Sequence, residues 1–260
     1  MLKVIATGYD GKMGKILADT IREDNELELV CVAARGLDSY EGDLKIYEDM
    51  STIVEEADVV IDFSHHSNLD NILSYVLKTK TPLVIATTGY NDDEMNKIRE
   101  AAKVIPVFQS YNMSLGVNVL VKLVKDAAKL LEGFDIEIIE KHHNRKVDAP
   151  SGTAVMIANA IKEVLPNVEN NYGRYGRSAK RQPNEVGIHA IRGGNIVGEH
   201  DALFAGDNEV LTISHQAQSR GIFASGSIAA AKYLVKQNQD FIIWTACWDN
   251  SINIIIHNIN

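Results

Sequence analysis

The stretch Glu140-Lys141-His142-His143-Asn144-Arg145-Lys146-Val147-Asp148-Ala149-Pro150-Ser151-Gly152-Thr153 concentrates the chain's most reactive side chains. Four groups able to carry positive charge, His142, His143, Arg145 and Lys146, fall within five residues of a chain whose net charge is −9. Imidazoles that titrate near neutral pH beside a fixed ammonium are what proton donation to an anionic substrate requires. Directly after them, Pro150 and Ser151-Gly152-Thr153 open a helix, supplying hydroxyls and unpaired N–H groups suited to a carboxylate or phosphate. The plain alternative is a basic surface loop ahead of a capped helix. Neighbouring histidines on a strand do not readily reach one ion, H-E-x-x-H is absent, and His65-His66 is an unrelated second pair. No metal site is expected. Ser151 lacks the G-x-S-x-G flanks of a hydrolase nucleophile.

A second chemical signal lies near the N-terminus. Gly8-Tyr9-Asp10-Gly11-Lys12-Met13-Gly14 sits where a strand hands over to a helix. Glycines there let backbone approach a pyrophosphate, and the helix start offers free N–H groups and a favourable dipole. The spacing departs from strict G-x-G-x-x-G, so a tight strand-to-helix turn is the competing reading. A ribose-binding acid belongs at the end of the second strand, yet that stretch reads Val32-Ala33-Ala34-Arg35. An arginine there suits a 2′-phosphate, and Lys12 adds a second cation, so NADPH is the expected preferred cofactor with NADH second. Ala86-Thr87-Thr88-Gly89 and Ser110-Tyr111-Asn112-Met113 each follow a strand, which places them for the nicotinamide half. Arg192, in Arg192-Gly193-Gly194-Asn195, has two open readings: closure over an anionic substrate, or pairing with a surface carboxylate.

The elements that must hold these groups follow from hydrophobic periodicity. Strands are expected at Leu2–Thr7, Leu27–Ala33, Val59–Phe63, Leu83–Ala86 and Val107–Gln109. Helices at Met13–Ile21, Leu69–Leu77 and Asp92–Ala102 alternate with them, the last capped by Asn91. That alternation implies a Rossmann-type, doubly wound parallel sheet in an α/β protein. From Leu115 the rhythm changes to a long helix, a helix over Thr153–Val164, and strands at Asp135–Glu140, Val186–Arg192, Asn195–Leu203 and Glu209–Gln216. This is a second α+β domain with a mixed sheet, in which Arg192–Asn195 reads as a hairpin turn. Tyr172–Pro183, with Arg174, Arg177, Lys180 and Arg181, reads as a solvated loop. The helix over Phe223–Val235 resumes the first style. The domains are therefore set at 1–113 with 224–240, and 114–223, leaving 241–260 as an atypical tail.

Composition narrows the partners. With 26 basic against 35 acidic residues, nucleic acid and anionic membranes are disfavoured, because both require a net basic face. No apolar run approaches the roughly 20 residues of a membrane span, and the N-terminus enters a strand directly, so no leader or anchor is expected. Two distant cysteines, Cys31 and Cys247, point to a reducing cytoplasm.

Taken in order and spacing, the glycine turn, Ala86–Gly89, Asn112-Met113-Ser114, the His142–Thr153 block and Ile191-Arg192-Gly193-Gly194 resemble 4-hydroxy-tetrahydrodipicolinate reductases, the dihydrodipicolinate reductase family of bacterial lysine biosynthesis. The resemblance spans residues 1 to about 236. It implies NAD(P)H-dependent reduction of a small cyclic dicarboxylate in the diaminopimelate route. It further implies His142 as proton donor, Lys146 as second donor or carboxylate ligand, and His143, Ser151, Gly152 and Thr153 as substrate contacts. Gly8–Met13 would hold the pyrophosphate, with Ala86–Thr88 and Ser110–Met113 around the nicotinamide. A homotetramer built through the second domain's sheet is also implied. Many members carry an acid where Ala34 stands, which again weighs against NADH. Other two-domain NAD(P) dehydrogenases acting on amino acids or sugars, and a non-catalytic NAD(P)-binding sensor, are the rival readings.

Overall fold

The structure is a computed structural model describing residues 1–37 and 40–244. In chain order it begins with β1 (Leu2–Thr7), α1 (Lys12–Glu23), β2 (Leu27–Ala33), β3 (Tyr40–Glu41), β4 (Leu44–Tyr47) and β5 (Val59–Asp62). α2 (Leu69–Thr79), β6 (Leu83–Ile85), α3 (Asp92–Ala102) and β7 (Pro106–Gln109) follow. Next come α4 (Leu115–Leu130), β8 (Asp135–His142), α5 (Gly152–Val164), β9 (Glu169–Asn171), β10 (Glu185–Arg192), β11 (Gly198–Ala205) and β12 (Val210–Ala217). α6 (Gly221–Leu234) and β13 (Asp240–Ile242) close the described chain. Among the described residues, those of 1–114 and 221–244 form one unit, and Leu115–Arg220 forms the other.

In the first unit the sheet order is β13-β7-β6-β5-β1-β2-β4-β3. Every pairing is parallel except the edge pair β3–β4. Strand alternation explains why both faces are covered. Val4 and Ala6 pack with Leu17, Ile21 and Ile228 on one side, while Ile5 packs with Ile72, Val76 and Ile98 on the other. The order reverses at β1, with β2 and β4 to one side and β5, β6 and β7 to the other. Such a reversal opens a crevice at the carboxyl ends of the strands. α3 carries the expected cap: Asn91 accepts from the Glu94 N–H and Glu94 accepts from the Asn91 N–H, both at 2.9 Å.

Residues 241–244 differ from their expected place in an atypical tail. β13 adds a parallel strand beside β7, and Trp244 is buried with its ring edge-on to Phe108, centroids 5.1 Å apart. An aromatic pair and a row of ladder bonds fix this segment. The rest of that tail lies outside the described residues.

The second unit holds a five-stranded sheet, β12-β11-β8-β10-β9, with α4 and α5 on one face. The sheet is mixed: β8–β10 and β10–β9 run parallel, β8–β11 and β11–β12 antiparallel. The expected hairpin at Arg192–Asn195 is absent, because β8 lies between β10 and β11. The turn instead crosses the end of β8, where the Gly193 N–H donates to the His142 carbonyl at 2.9 Å. β11 and β12 form the true hairpin. The stretch 172–183 is irregular as expected, but it is not simply solvated. Arg174 pairs with Glu137 at 2.7 Å and with Glu185, and Arg181 reaches Glu137 at 3.2 Å.

Candidate active site

On β8, Ile136, Ile138 and Glu140 share one face by strand periodicity, so a carboxylate stands where the third hydrophobe belongs. Glu140 has no exposed surface. It accepts from His142 Nδ1 at 2.6 Å, from Arg192 Nη1 and Nη2 at 2.8 and 2.7 Å, and from the Ser151 N–H at 3.0 Å. Register brings these groups together: Arg192 on β10 lies opposite His142, and His200 on β11 lies opposite Glu140. Burial pushes the Glu140 carboxyl upward, but Arg192, His142 and the Ser151 N–H outweigh it and hold it below the ordinary range. A buried carboxylate with four donors is satisfied; stripped of them it would be among the costliest groups in the core.

An ionised Glu140 has only acceptors, so His142 carries hydrogen on Nδ1 and keeps Nε2 for exchange. Gly198 makes room for that nitrogen, since a Cβ there would sit 3.0 Å from His142 Nε2. The His200 ring stands edge-on to His142, centroids 5.2 Å apart. His200 Nε2 bonds Ser151 Oγ at 2.8 Å, and burial followed by the His142 charge pushes His200 down to about 4. It is a neutral support at physiological pH.

Ser151 is the N-cap of α5, its hydroxyl accepting from the Ala154 N–H at 3.2 Å. Buried and bonded in this way, it supports the site rather than facing it. Gly152 and Thr153 form the first turn of α5. Before them, Lys146 Nζ pairs with Asp148 at 2.8 Å, and Arg192 Nη2 donates to the Asp148 carbonyl at 2.8 Å. His143 is held toward its neutral form by desolvation and by Arg145 and Arg220, and its Nδ1 is buried without a partner among the described residues. Arg145 reaches out to Asn195 at 3.1 Å. Of the two readings of Arg192, the carboxylate partner holds, and that carboxylate is buried rather than superficial.

In the first unit, Gly8 has φ +79°, and a Cβ on it would meet the Phe63 carbonyl at 2.4 Å. A Cβ on Gly14 would lie 2.1 Å from the Gly8 carbonyl, so the turn and α1 touch backbone to backbone. α1 begins with Gly11 as a cap lacking any side-chain bond, with no acid in its first turn and with Lys12 there instead. α3, by contrast, opens with Asp92, Asp93 and Glu94 and a full capping box. An uncapped helix start carrying a cation fits a pyrophosphate, so the residues present suit a dinucleotide.

The crevice brings Gly8, Asp10, Gly11 and Arg35 together with Glu48, Phe63, Ser64, His65 and Asn68. Other predicted cofactor residues stand elsewhere. The Tyr9 and Met113 side chains belong to the hydrophobic core, leaving only their backbone for a ligand. Lys12 and Thr88 are exposed, Met13 and Ala86 half-buried and Thr87 buried, none of them lining the crevice. Ser110 bonds the Asn112 carbonyl at 2.7 Å and Tyr111 is largely exposed. Sequence reasoning passed over Glu140, Gly198 and His200, although Glu140 and His142 share strand parity. It also passed over Ser64 and His65, which carry no spacing signal. Among the described residues, no group of three or more metal-ligating side chains gathers, and no helix is long and apolar enough to cross a membrane.

Comparison with known proteins identifies the family. The model of the dihydrodipicolinate reductase N-terminus matches residues 2–113, and that of the C-terminus matches residues 116–245. The likeness thus runs past the expected limit near residue 236 and takes in β13 and Trp244. The 4-hydroxy-tetrahydrodipicolinate reductase of Caldanaerobacter subterraneus subsp. tengcongensis is 56% identical over 238 residues, 91% of this chain and 94% of that one. The enzyme of the same name from Clostridium tetani is 47% identical over 236 residues, 90% and 92% of the two chains. A solved dipicolinate-bound dihydrodipicolinate reductase from Paenisporosarcina sp. TG-14 shares the fold, with TM-score 0.79, 23% identity, and 94% and 97% coverage. With the two family models matched over residues 2–113 and 116–245, the chain belongs to the dihydrodipicolinate reductase family.

Proposed function

We propose that this chain reduces 4-hydroxy-tetrahydrodipicolinate to tetrahydrodipicolinate in the diaminopimelate route to lysine, using NAD(P)H, with His142 as proton donor. The observation that carries the residue assignment is the Glu140–His142 bond at 2.6 Å beside a basic loop and a helix start. A bound nicotinamide cofactor supplies the hydride. Glu140 keeps the Nδ1 hydrogen of His142 in place, so Nε2 is the atom that gives up the proton completing the reduction. Lys146, as second donor or carboxylate ligand, loosens from Asp148 to meet the substrate. His143, with Gly152 and Thr153 at the start of α5, takes the substrate carboxylates and orients the ring. Ser151, predicted as a contact, acts through the cap it makes.

The first unit serves as the dinucleotide-binding domain and the second as the substrate domain. Arg35, just past the end of β2 where the sequence Val32-Ala33-Ala34 carries no acid, supports a preference for NADPH over NADH. The Arg35→Ala variant should lose that preference. The second sheet's face opposite α4 and α5 carries Ile139, Leu203 and Thr212 with no helix of that unit upon it, which supports a homotetramer formed there. A buried Cys31 thiol, pushed up to about 12 by desolvation, suits the cytoplasm.

The direct test is NADPH oxidation with substrate generated in the cuvette by a dihydrodipicolinate synthase from pyruvate and aspartate semialdehyde. Oxidation should require both the synthase and His142. Oxidation that persists in the His142→Gln variant would remove His142 from its role.

A further inference from the structure

At the end of β2, Arg35 Nη2 donates to the Ser67 hydroxyl at 2.9 Å. The same hydroxyl lies 2.9 Å from His65 Nδ1, and the Ser67 N–H donates to that nitrogen at 3.3 Å. With its oxygen accepting from the arginine, the Ser67 hydroxyl has its own hydrogen left for Nδ1. Two donors then converge on Nδ1, which assigns the hydrogen of a neutral His65 ring to Nε2. Neither Nε2 nor the remaining Arg35 N–H groups have a partner among the described residues. Arg35 and His65 both line the crevice beside Gly8 and Gly11. Ser67 reaches them from the single 3-10 turn His66–Asn68 that follows β5, so one hydroxyl ties together two strand ends on either side of the glycine turn.

We propose that Ser67 is a positioning residue for cofactor selectivity, aiming the Arg35 guanidinium and the His65 Nε2–H together at the 2′-phosphate of NADPH. The proposal rests on the NADPH reading above and deepens it. Asp10 and Glu48 line the same crevice, so an added phosphate meets negative charge as well as positive. Holding an arginine in place before the ligand arrives removes the cost of ordering its long side chain at that moment. A 2′-hydroxyl gains little from such an arrangement, whereas a phosphate accepts charge-assisted bonds from both donors.

Calorimetric titration of the full chain with NADP+ and NAD+ tests this without turnover. Ser67→Ala should weaken NADP+ about five- to tenfold and leave NAD+ within about twofold, the loss of one to two oriented bonds. Ser67→Thr, which keeps the hydroxyl, should restore most of the difference. Equal weakening of both ligands, or an unchanged NADP+ affinity, overturns the role of Ser67. A wild-type chain that binds both ligands alike overturns the NADPH reading and this proposal with it. A wild-type preference that survives in Ser67→Ala removes the proposal alone.

Discussion

The two candidate ligand sites are built on opposite physical plans. Around His142 the geometry is held by side chains: a buried carboxylate gathers an imidazole, a guanidinium and a backbone N–H from three elements. At the glycine turn it is held by what is missing, since Gly8 and Gly14 allow backbone to meet backbone and the helix start has no cap. A proton must leave from one particular nitrogen, and orientation of that kind needs directional bonds in a low-dielectric setting. A pyrophosphate needs only close approach to N–H groups, which a side chain would obstruct. Fixing a reacting atom calls for added groups; seating a cofactor calls for removed ones.

Four variants break or sharpen this contrast. The largest effect belongs to His142→Gln, which should lower kcat about 10²- to 10⁴-fold with little change in KM. Glu140→Gln should fall most of the way with it, because the ring loses its fixed Nδ1 hydrogen bond to an anion. If Glu140→Gln keeps wild-type kcat in steady-state assays, directional bonding is not what the His142 region supplies.

Gly14→Ala comes next. A Cβ 2.1 Å from a backbone carbonyl cannot be absorbed by a rotamer change, so the turn and α1 must separate. NADPH should bind about a hundredfold more weakly by fluorescence titration, with a lowered Tm. Unchanged affinity would show that the cofactor region tolerates added atoms and would end the contrast.

The smallest effect concerns pH. His200 is depressed to about 4 in the fold against about 6.5 unfolded, so the unfolded chain binds the extra proton in between. That contribution is intact above about pH 6.5 and is lost as pH falls toward 4. It amounts to about 2 kcal/mol between pH 7 and 5. Glu140, depressed below the carboxylate range, loses its contribution only at lower pH. Denaturant melts at the two pH values should therefore differ less for His200→Asn than for the wild type. Equal differences would mean that His200 is not buried neutral.

Most of the first unit was legible because its strands are covered on both faces and bounded by turn residues. β3, β4 and β9 were missed, since two to four residues set among polar neighbours carry no clear apolar run. β13 was missed because its pairing with β7 is non-local and leaves no local mark. In the second unit the four long strands were found, but the turn at Arg192–Asn195 was not a hairpin. A glycine turn between two strands specifies a change of direction, not which strand lies beyond it. The block from His142 to Thr153 stood out by charge, while its organiser did not. Glu140 looks like any charged strand residue until parity with Ile136 and Ile138 turns it inward.

The return of the chain through α6 has a consequence during synthesis. α6 supplies Ala224, Ile228, Ala230 and Leu234 to the core layer that holds Val4, Ala6, Leu17 and Phe108. The ribosome makes those last residues only after all of Leu115–Arg220. At about 5–20 residues per second, the first sheet waits roughly 5–25 s for that cover. Meanwhile the intervening unit, continuous in sequence, has every strand and helix it needs. The domain that is begun first is therefore the one finished last, and a chaperone meeting the nascent chain would find its apolar surface on the older half.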